Sequence, residues 1–130
     1  MYTIICPLYV VFPRKTKKDK KCYINLNTFR NTKYIVNNLI KIRFKEALKD
    51  QIDKLPKLGK ISLEFILFKN SNRKIDRSNI CCIIEKFLCD SLVEYSKLED
   101  DNDEFIISTT YTTGGVEKGN GRCEVLIHNF

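Results

Sequence analysis

Apolar and polar positions alternate along this chain in blocks whose spacing predicts both strands and helices. Residues 3–12 and 22–26 are rich in β-branched and aromatic side chains, so we expect extended segments, with Pro7 marking an edge strand or a bulge. Residues 31–52 place apolar side chains three and four positions apart, which predicts a helix. Residues 60–69 contain four consecutive apolar side chains, and this run predicts a largely buried strand.

The second half of the chain predicts one more helix and two more strands. Residues 79–95 are helical in pattern, with Asp76 or Ser78 as the cap, and residues 105–112 and 122–129 are extended. The glycine-rich segment between these strands predicts a hairpin connection. The order is therefore ββαβαββ, which predicts an α+β fold: one mixed β-sheet of four to five strands with two helices packed on it. At 130 residues we expect a single domain, residues 1–130.

The charges of the chain are unevenly distributed. Its 23 Lys and Arg against 16 Asp and Glu give a net charge of +7, yet five acids lie between residues 99 and 104. Residues 14–21 carry six basic side chains in eight positions, a run typical either of a solvated loop or of an arm that grips phosphates. A concentrated group of carboxylates on a basic protein matches the needs of a magnesium-dependent enzyme that acts on nucleic acid.

The six cysteines do not form a metal-binding pattern. They include no C-x-x-C pair, and His128 is the one histidine that a zinc site would have to use. Cys81, Cys82 and Cys89 lie in an apolar helical stretch, where a free thiol packs as a small hydrophobe. We therefore expect reduced cysteines and a cytoplasmic protein. The apolar start of the chain is too short to span a membrane and lacks a signal-cleavage pattern, so no membrane association is expected.

A polar stripe crosses the second predicted helix. At about 100° per residue, Asn79, Lys86 and Asp90 share one side of a helix whose other positions are almost all apolar. One interpretation is structural, with Lys86 and Asp90 paired four residues apart and Asn79 at the helix start. The other is functional, with the stripe facing a cleft bounded by Asp76 at one end and by Asp100 and Asp101 at the other.

These residues also resemble a known family. The order Asp-x-x-Asn, Lys-x-x-x-Asp-Ser-Leu and Asp-Asp is similar to that of the RusA-like Holliday junction resolvases, which are phage and prophage endonucleases of DNA recombination and repair. The matching residues are Asp76, Asn79, Lys86, Asp90, Ser91, Leu92, Asp100 and Asp101. The resemblance covers residues 58–130 well and the N-terminal half loosely, through a Pro-Arg-Lys region and the Asn-x-x-Phe-Arg segment at residues 27–30.

Two departures from the family pattern affect the expected site. Ser78 stands where the family has a second motif Asp, and four extra residues, about one helical turn, separate Asn79 from Lys86. An inserted turn keeps both side chains on the same helix face. Asp90, Asp100 and Glu85 are the carboxylates that would replace the one missing at Ser78, and Asp90 is preferred over Glu85, which lies about 120° from the polar stripe.

The resemblance implies a homodimer that binds four-way or other branched DNA and nicks opposing strands with Mg²⁺, for which Mn²⁺ can substitute, without another small-molecule cofactor. In that mechanism a metal-bound water attacks the phosphate, while Lys86 or the metal stabilises the developing charge. Asn79 and Ser78 would orient a ligand or the phosphate. The implied catalytic residues are Asp76, Asp101, Lys86 and Asp90, and the implied metal ligands are Asp76, Asp101, Asp100 and Asp90. The basic side chains expected to contact DNA phosphates are Arg14, Lys15, Lys17, Lys18, Lys20, Lys21, Arg73, Lys74, Arg77 and Lys118.

Two other functions stay open at this point. A protein of the same fold that has lost catalysis would bind branched DNA, or would serve a phage as an inhibitor of a host nucleic-acid enzyme, and Ser78 favours this alternative. An RNA-binding or protein-interaction domain with a merely solvated acidic turn is the third possibility. Dependence on a metal separates the nuclease from both.

Overall fold

The computed structural model describes all 130 residues of the chain, which form six strands and three helices. The strands are β1 (Tyr2–Cys6), β2 (Tyr9–Phe12), β3 (Lys20–Tyr23), β4 (Ile61–Lys69), β5 (Ile106–Val116) and β6 (Arg122–Asn129). The helices are α1 (Leu26–Asn31), α2 (Tyr34–Asp53) and α3 (Arg77–Glu94).

Four of the strands form one mixed sheet in the order β1-β6-β4-β5, and β2 and β3 form a separate antiparallel hairpin. Strand β4 pairs in parallel with β5 and antiparallel with β6, which in turn pairs antiparallel with β1. Because α3 connects the parallel neighbours β4 and β5, it runs back along the sheet. The first turn of α3 therefore lies near the carboxyl ends of β4 and β5, and its last turn lies near their amino ends.

The helices cover one face of the sheet. Along β4, alternate residues are buried: Ile61, Leu63, Phe65 and Leu67. Every fourth residue of α2 is buried as well: Ile40, Phe44, Leu48 and Ile52. The buried face of the strand and the buried face of the helix thus belong to one continuous core.

One edge of the sheet is closed by a side chain. The amide of Gln51, near the end of α2, accepts a hydrogen bond from the backbone N–H of Ile5 at 2.7 Å and donates one to the carbonyl of Ile5 at 2.9 Å. Both backbone groups of Ile5 on the free edge of β1 are therefore satisfied, and this blocks pairing with another strand at that point.

The α+β class and the mixed sheet with helices packed on it are as predicted, but several details of the predicted elements were wrong. The segment predicted as one strand over residues 3–12 is two strands in different sheets, because the chain bends at Pro7 and Leu8. The segment 22–26 does not form one strand, since β3 ends at Tyr23 and Asn25 caps the short helix α1. The sequence therefore contains a third helix that its apolar spacing did not indicate.

The predicted hairpin between the last two strands was also wrong. Strand β4 lies between β5 and β6, so the glycine-rich segment crosses the end of β4 instead of joining neighbours. The Glu117 N–H donates to the carbonyl of Lys69 at 2.8 Å, which fastens this crossing to the end of β4. A glycine-rich segment indicates a turn, but it does not specify which strands become neighbours. None of the helices is long and apolar enough to cross a membrane.

Candidate nucleic-acid interface and acidic sites

The basic run predicted from the sequence forms the tip and one strand of the β2–β3 hairpin, and all of its side chains are exposed. Arg14 donates through Nε to the carbonyl of Lys18 at 2.8 Å, which orders the turn. Lys21 lies over the ring of Tyr9, with 4.7 Å between Nζ and the ring centroid. The exposed lysines of this hairpin thus form a concentrated positive surface on a short, ordered arm.

The other predicted DNA contacts lie at the same end of the sheet as the hairpin. Arg73 and Lys74 belong to the loop that follows β4, and Arg77 opens α3, where its guanidinium donates to Thr113 Oγ1 at 2.7 Å. Lys118 lies in the crossing segment, next to Gly119. Gly119 and Lys21 line the same shallow surface depression. Tertiary structure therefore brings Lys21 from the hairpin together with Arg73, Lys74, Arg77 and Lys118 at the carboxyl ends of β4 and β5.

Asp76 caps α3 at this basic end. Its Oδ1 accepts hydrogen bonds from the backbone N–H of Ser78 at 3.1 Å and from Ser78 Oγ at 2.8 Å. A carboxylate at the N-cap satisfies an otherwise free helix N–H and interacts favourably with the positive end of the helix dipole. The Ser78 hydroxyl therefore donates to the carboxylate of Asp76 and supplies no charged ligand of its own. Asp76 is exposed, so its second oxygen is open to solvent.

The polar stripe of α3 lies along the side that faces α1 and the first half of α2. Asn79 lines a first cleft of about 450 Å³, which it shares with Asp76 and Arg73. Lys86 and Asp90 line a second cleft, of about 250 Å³, further along the helix. At about 1.5 Å per residue, Lys86 lies about 15 Å along the axis from Asp76, so the stripe does not converge on a single site.

Asp90 forms an ion pair with another helix. Its Oδ2 lies 3.4 Å from Nζ of Lys41 in α2, and one turn further on Lys45 pairs with Glu94. Lys86 forms no ion pair, so the alternative of an internal Lys86–Asp90 pair was wrong. The preferred replacement for the carboxylate missing at Ser78 is thus part of a contact that joins α2 to α3.

Glu85 lies on a different side of α3, as its angle on the helix predicts, and faces β5. The hydroxyl of Tyr111 donates to Glu85 Oε1 at 2.5 Å. Burial, and next the hydrogen bond to Glu85, raise the pKa of the Tyr111 hydroxyl above its ordinary value. This carboxylate is therefore held against the sheet and is not directed toward Asp76.

The acidic turn that follows α3 lies at the opposite end from the basic hairpin. Asp100 accepts hydrogen bonds from the backbone N–H of Asp101 at 2.7 Å and from Asn102 Nδ2 at 3.2 Å, and Asn102 Oδ1 accepts one from the N–H of Glu104. These contacts shape the turn. The carboxylate of Asp101 makes no hydrogen bond and is exposed.

The separation of these acids decides whether one protomer can hold the implied metal. Helix α3 has 18 residues and is about 27 Å long, with Asp76 before its first residue and Asp100 and Asp101 after its last. Ligands of one Mg²⁺ lie at about 2.0–2.1 Å, and two cooperating metals lie about 4 Å apart. No group of three or more His, Cys, Asp or Glu side chains is placed to hold a metal ion. Within one protomer, therefore, Asp76, Asp90 and Asp101 do not fit a shared Mg²⁺, and the expected cleft bounded by both ends of α3 is absent.

All six cysteines are free thiols, and three of them meet beneath the first half of α3. Cys6 and Cys123 are register partners in β1 and β6, and the thiols of Cys123 and Cys81 lie close enough to interact. The interaction between these two thiols lowers the pKa of Cys81 and raises the pKa of Cys123, which burial raises further. Burial raises the pKa of Cys6 as well. The expectation of packed cysteines agrees with this arrangement.

Most residues that line the first cleft were not indicated by any pattern in the sequence. Besides Asp76, Asn79 and Arg73, its polar lining includes asparagines from two separate segments: Asn25 and Asn27 at the start of α1, and Asn70 after β4. Asn25 lay in a segment predicted as a strand and Asn70 in a loop. The frequency of asparagine in this chain gave no reason to single them out.

Close packing holds Asn70 in place at the rim of this cleft. The Oδ1 of Asn70 accepts a hydrogen bond from Gly119 N–H at 2.6 Å, and Gly119 has a φ of 75°, which glycine adopts without strain. At Gly121 a Cβ atom would lie 2.9 Å from the Cβ of Asn70 and 3.1 Å from its backbone nitrogen. The crossing segment therefore requires glycine where it passes this asparagine.

Comparison with known proteins adds no assignment to these observations, since no protein-family model matches the chain and no curated protein sequence matches it.

Proposed function

We propose that this protein is a structure-specific endodeoxyribonuclease that binds four-way or branched DNA and nicks it with Mg²⁺ as cofactor. One observation carries the proposal: Lys21 at the base of the basic hairpin, Arg73, Arg77 and Lys118 lie at the end of the fold where Asp76 and Asn79 lie. Phosphate backbones bind positive surfaces of this kind. Asp76 caps α3 through Oδ1, and a metal ion held by its other oxygen would offset the repulsion between this carboxylate and a phosphate.

The proposal includes a homodimer. The family resemblance implies metal ligands at both Asp76 and Asp101, and the length of α3 keeps these two carboxylates apart within one protomer. A two-fold arrangement would place Asp76 of one protomer beside the acidic turn of its partner, and would repeat this contact at a second site. Two such sites also match the two opposing strands of a junction. Lys86 and Asp90 are secondary candidates, because the second cleft lies apart from both ends of α3.

The first test is cleavage of a labelled synthetic four-way junction. Wild-type protein in Mg²⁺ is compared with protein in EDTA and with the variants Asp76→Asn and Asp101→Asn. We expect paired nicks in wild type, and none in EDTA or in either variant. Nicking that persists in EDTA would overturn the metal-dependent mechanism.

Mixing the two inactive variants tests the shared site. If each site takes Asp76 from one protomer and Asp101 from its partner, a mixed dimer contains one intact site and one doubly altered site. After subunit exchange at equal concentrations, about a quarter of the wild-type sites are restored, because half of the dimers are mixed. If both residues act within one protomer, every site carries one substitution and no activity returns.

A second candidate is a DNA-binding protein without catalysis, which as a phage protein would inhibit a host nucleic-acid enzyme. The specific observation in its favour is that the carboxylates of Asp76 and Asp90 already have protein partners, in Ser78 and Lys41. This candidate predicts tight, salt-sensitive junction binding with no cleavage in Mg²⁺ or Mn²⁺. Preference for RNA over branched DNA in the same assay would support the RNA-binding alternative instead.

A cytoplasmic location, within a bacterial host if a phage encodes the protein, forms part of the proposal. Its support is the set of six free thiols, of which five are buried. Such thiols persist in a reducing compartment. Alkylation of the protein as it is extracted from cells, followed by mass measurement, tests for six reduced cysteines.

A further inference from the structure

The first cleft has the size and position of a ligand site. It measures about 450 Å³ and lies between the base of the β2–β3 hairpin, the start of α1, the loop after β4 and the first turn of α3. Ligand pockets in proteins typically measure about 300–1,000 Å³. The cleft opens on the basic end of the protein, and Arg73 is the one lining residue among the basic side chains predicted to contact DNA phosphates.

Three asparagines in this cleft are held by their carbonyl oxygens. The Oδ1 of Asn25 accepts from Thr28 N–H at 2.8 Å, and the Oδ1 of Asn70 accepts from Gly119 N–H at 2.6 Å. A backbone N–H can bond only to the oxygen of an amide, so these two contacts fix which atom is Nδ2. Asn27 Oδ1 accepts from Asn31 Nδ2 at 2.9 Å.

The Nδ2 groups of these asparagines form no hydrogen bond within the protein. Each can donate two hydrogen bonds, and the guanidinium of Arg73 has no protein partner either. The polar part of the cleft therefore offers several unpaired donors beside one carboxylate, that of Asp76. A ligand that fits it must carry several acceptor atoms.

The rest of the cleft is apolar and includes one aromatic ring. Leu8, Ile24, Ile75 and Ile80 line it, together with Tyr23, of which 51% is exposed. Flat apolar faces with acceptor atoms at the edge are the properties of a nucleobase, and a phosphate follows each base at a distance that an arginine can reach. Bases stack readily on tyrosine rings in proteins that bind unpaired strands.

We propose that this cleft binds one unpaired nucleobase, with its edge on the asparagine Nδ2 groups, its face on the apolar wall and Tyr23, and its phosphate on Arg73. The inference rests on the proposed function, since the ligand is a nucleotide of the branched DNA. Extruding a base is least costly where the base is already unpaired or poorly stacked. The cleft would therefore favour a branch point over continuous duplex and supply part of the structural selectivity.

The test measures binding of a synthetic four-way junction in EDTA, where no cleavage occurs. Each nucleotide at the point of strand exchange is replaced in turn by an abasic nucleotide. We expect one such replacement to weaken binding by wild-type protein about tenfold, a loss within the range measured for one stacked base.

The variant Asn70→Asp separates the proposed contact from folding. An aspartate keeps the oxygen that accepts from Gly119 N–H but replaces the donor group with a second acceptor. Asn120→Asp is the matched control: it adds the same charge in the crossing segment that passes Asn70, outside the cleft. We expect Asn70→Asp to weaken binding of the intact junction about tenfold and to remove the effect of the abasic nucleotide, while Asn120→Asp keeps that effect. Asn25→Asp repeats the test at a helix cap that tolerates either residue.

The outcomes distinguish this inference from the proposed function. Salt-sensitive junction binding that is indifferent to every abasic replacement would overturn the base site alone, whether or not the junction is cleaved. Base-dependent binding without cleavage in Mg²⁺ would support the site and reject the nuclease. Absence of junction binding would reject both.

Discussion

The two ends of α3 present opposite chemistry, although they belong to one helix and both carry exposed carboxylates. At its first turn Asp76 caps the helix and is surrounded by basic groups and a cleft rich in donors. Beyond its last turn Asp100 and Asp101 belong to a turn that contains five acids and is shaped by its own hydrogen bonds. Aspartate thus has a different local role at each end of the helix, and the neighbouring residues from other segments decide which role it has. A functional interpretation that joins both ends requires a second protomer.

The largest expected difference between the two ends is in DNA binding. Substituting glutamine for Lys15, Lys17 and Lys18 in the hairpin should weaken junction binding by about tenfold to a hundredfold. If all three contact phosphates, the slope of log K against log salt should fall by about 2.7. Affinity measured from 50 to 200 mM salt checks this.

A matched triple variant at the other end of the molecule serves as the control. Lys54, Lys57 and Lys60 are exposed near the start of β4, and their substitution by glutamine removes the same net charge. We expect little change in the salt slope. An equal loss in both variants would mean that net charge, and not the basic end, determines binding.

A second difference between the two halves of α3 is that buried thiols lie beneath its first half, and these should make the stability of the fold depend on pH. Burial raises the pKa of Cys6 above its ordinary value of 9.0, so the folded protein holds this proton where the unfolded chain releases it. The stabilising contribution is complete below pH 9 and is lost as the pH rises from there toward the folded-state pKa. Between pH 8 and pH 10 the wild type should lose about 1.4 kcal/mol more unfolding free energy than Cys6→Ala. Urea unfolding at several pH values measures the difference.

Ile4→Val is the appropriate control for that comparison. It removes one methylene group from a neighbouring buried position on β1 without removing a titrating group. It should lower stability by a constant amount across the pH range. A pH dependence in Cys6→Ala equal to that of wild type would show that Cys6 does not contribute to the alkaline loss.

A third experiment separates the structural role of Asp76 from its chemistry. Asp76→Ala removes the acceptor for Ser78 N–H and should destabilise the protein by about 1 kcal/mol. Asp76→Asn keeps an equally good N-cap, so its stability should match wild type while its proposed nuclease activity is lost. Asp101→Asn at the opposite end should also leave stability unchanged, because its carboxylate is exposed and has no partner. Thermal unfolding beside junction cleavage reports both properties.

The smallest effect is expected at the contact between α2 and α3. The Lys41–Asp90 pair is about one-third exposed, and a double-mutant cycle with Lys41→Gln and Asp90→Asn should give a coupling below about 1 kcal/mol. If Asp90 acts only through this pair, both variants should keep nuclease activity. Loss of activity in Asp90→Asn alone would instead make Asp90 a metal ligand and contradict the structural role.

Much of the fold follows from local patterns. The buried residues of α2 recur every fourth position, and those of β4 every second position, so both elements and their buried faces are visible in the sequence. The cap of α3 at Asp76 and the exposed basic arm are also local features. The short helix α1 was not predicted, since it has no fully buried residue and thus no apolar period.

The candidate site depends on contacts that no local pattern specifies. Lys41 and Asp90 lie 49 residues apart in the chain, as do Asn70 and Gly119, and both pairs form only after the strands have taken the order β1-β6-β4-β5. The sequence by itself determined the long elements α2, α3 and β4, their buried faces and the kinds of charged groups available, because these depend on spacing and residue type. Tertiary structure alone decided that Asp76 and Asp101 lie at opposite ends of α3 and that separate asparagines share one cleft. Those placements depend on which strands become neighbours, which is settled by packing of the whole core.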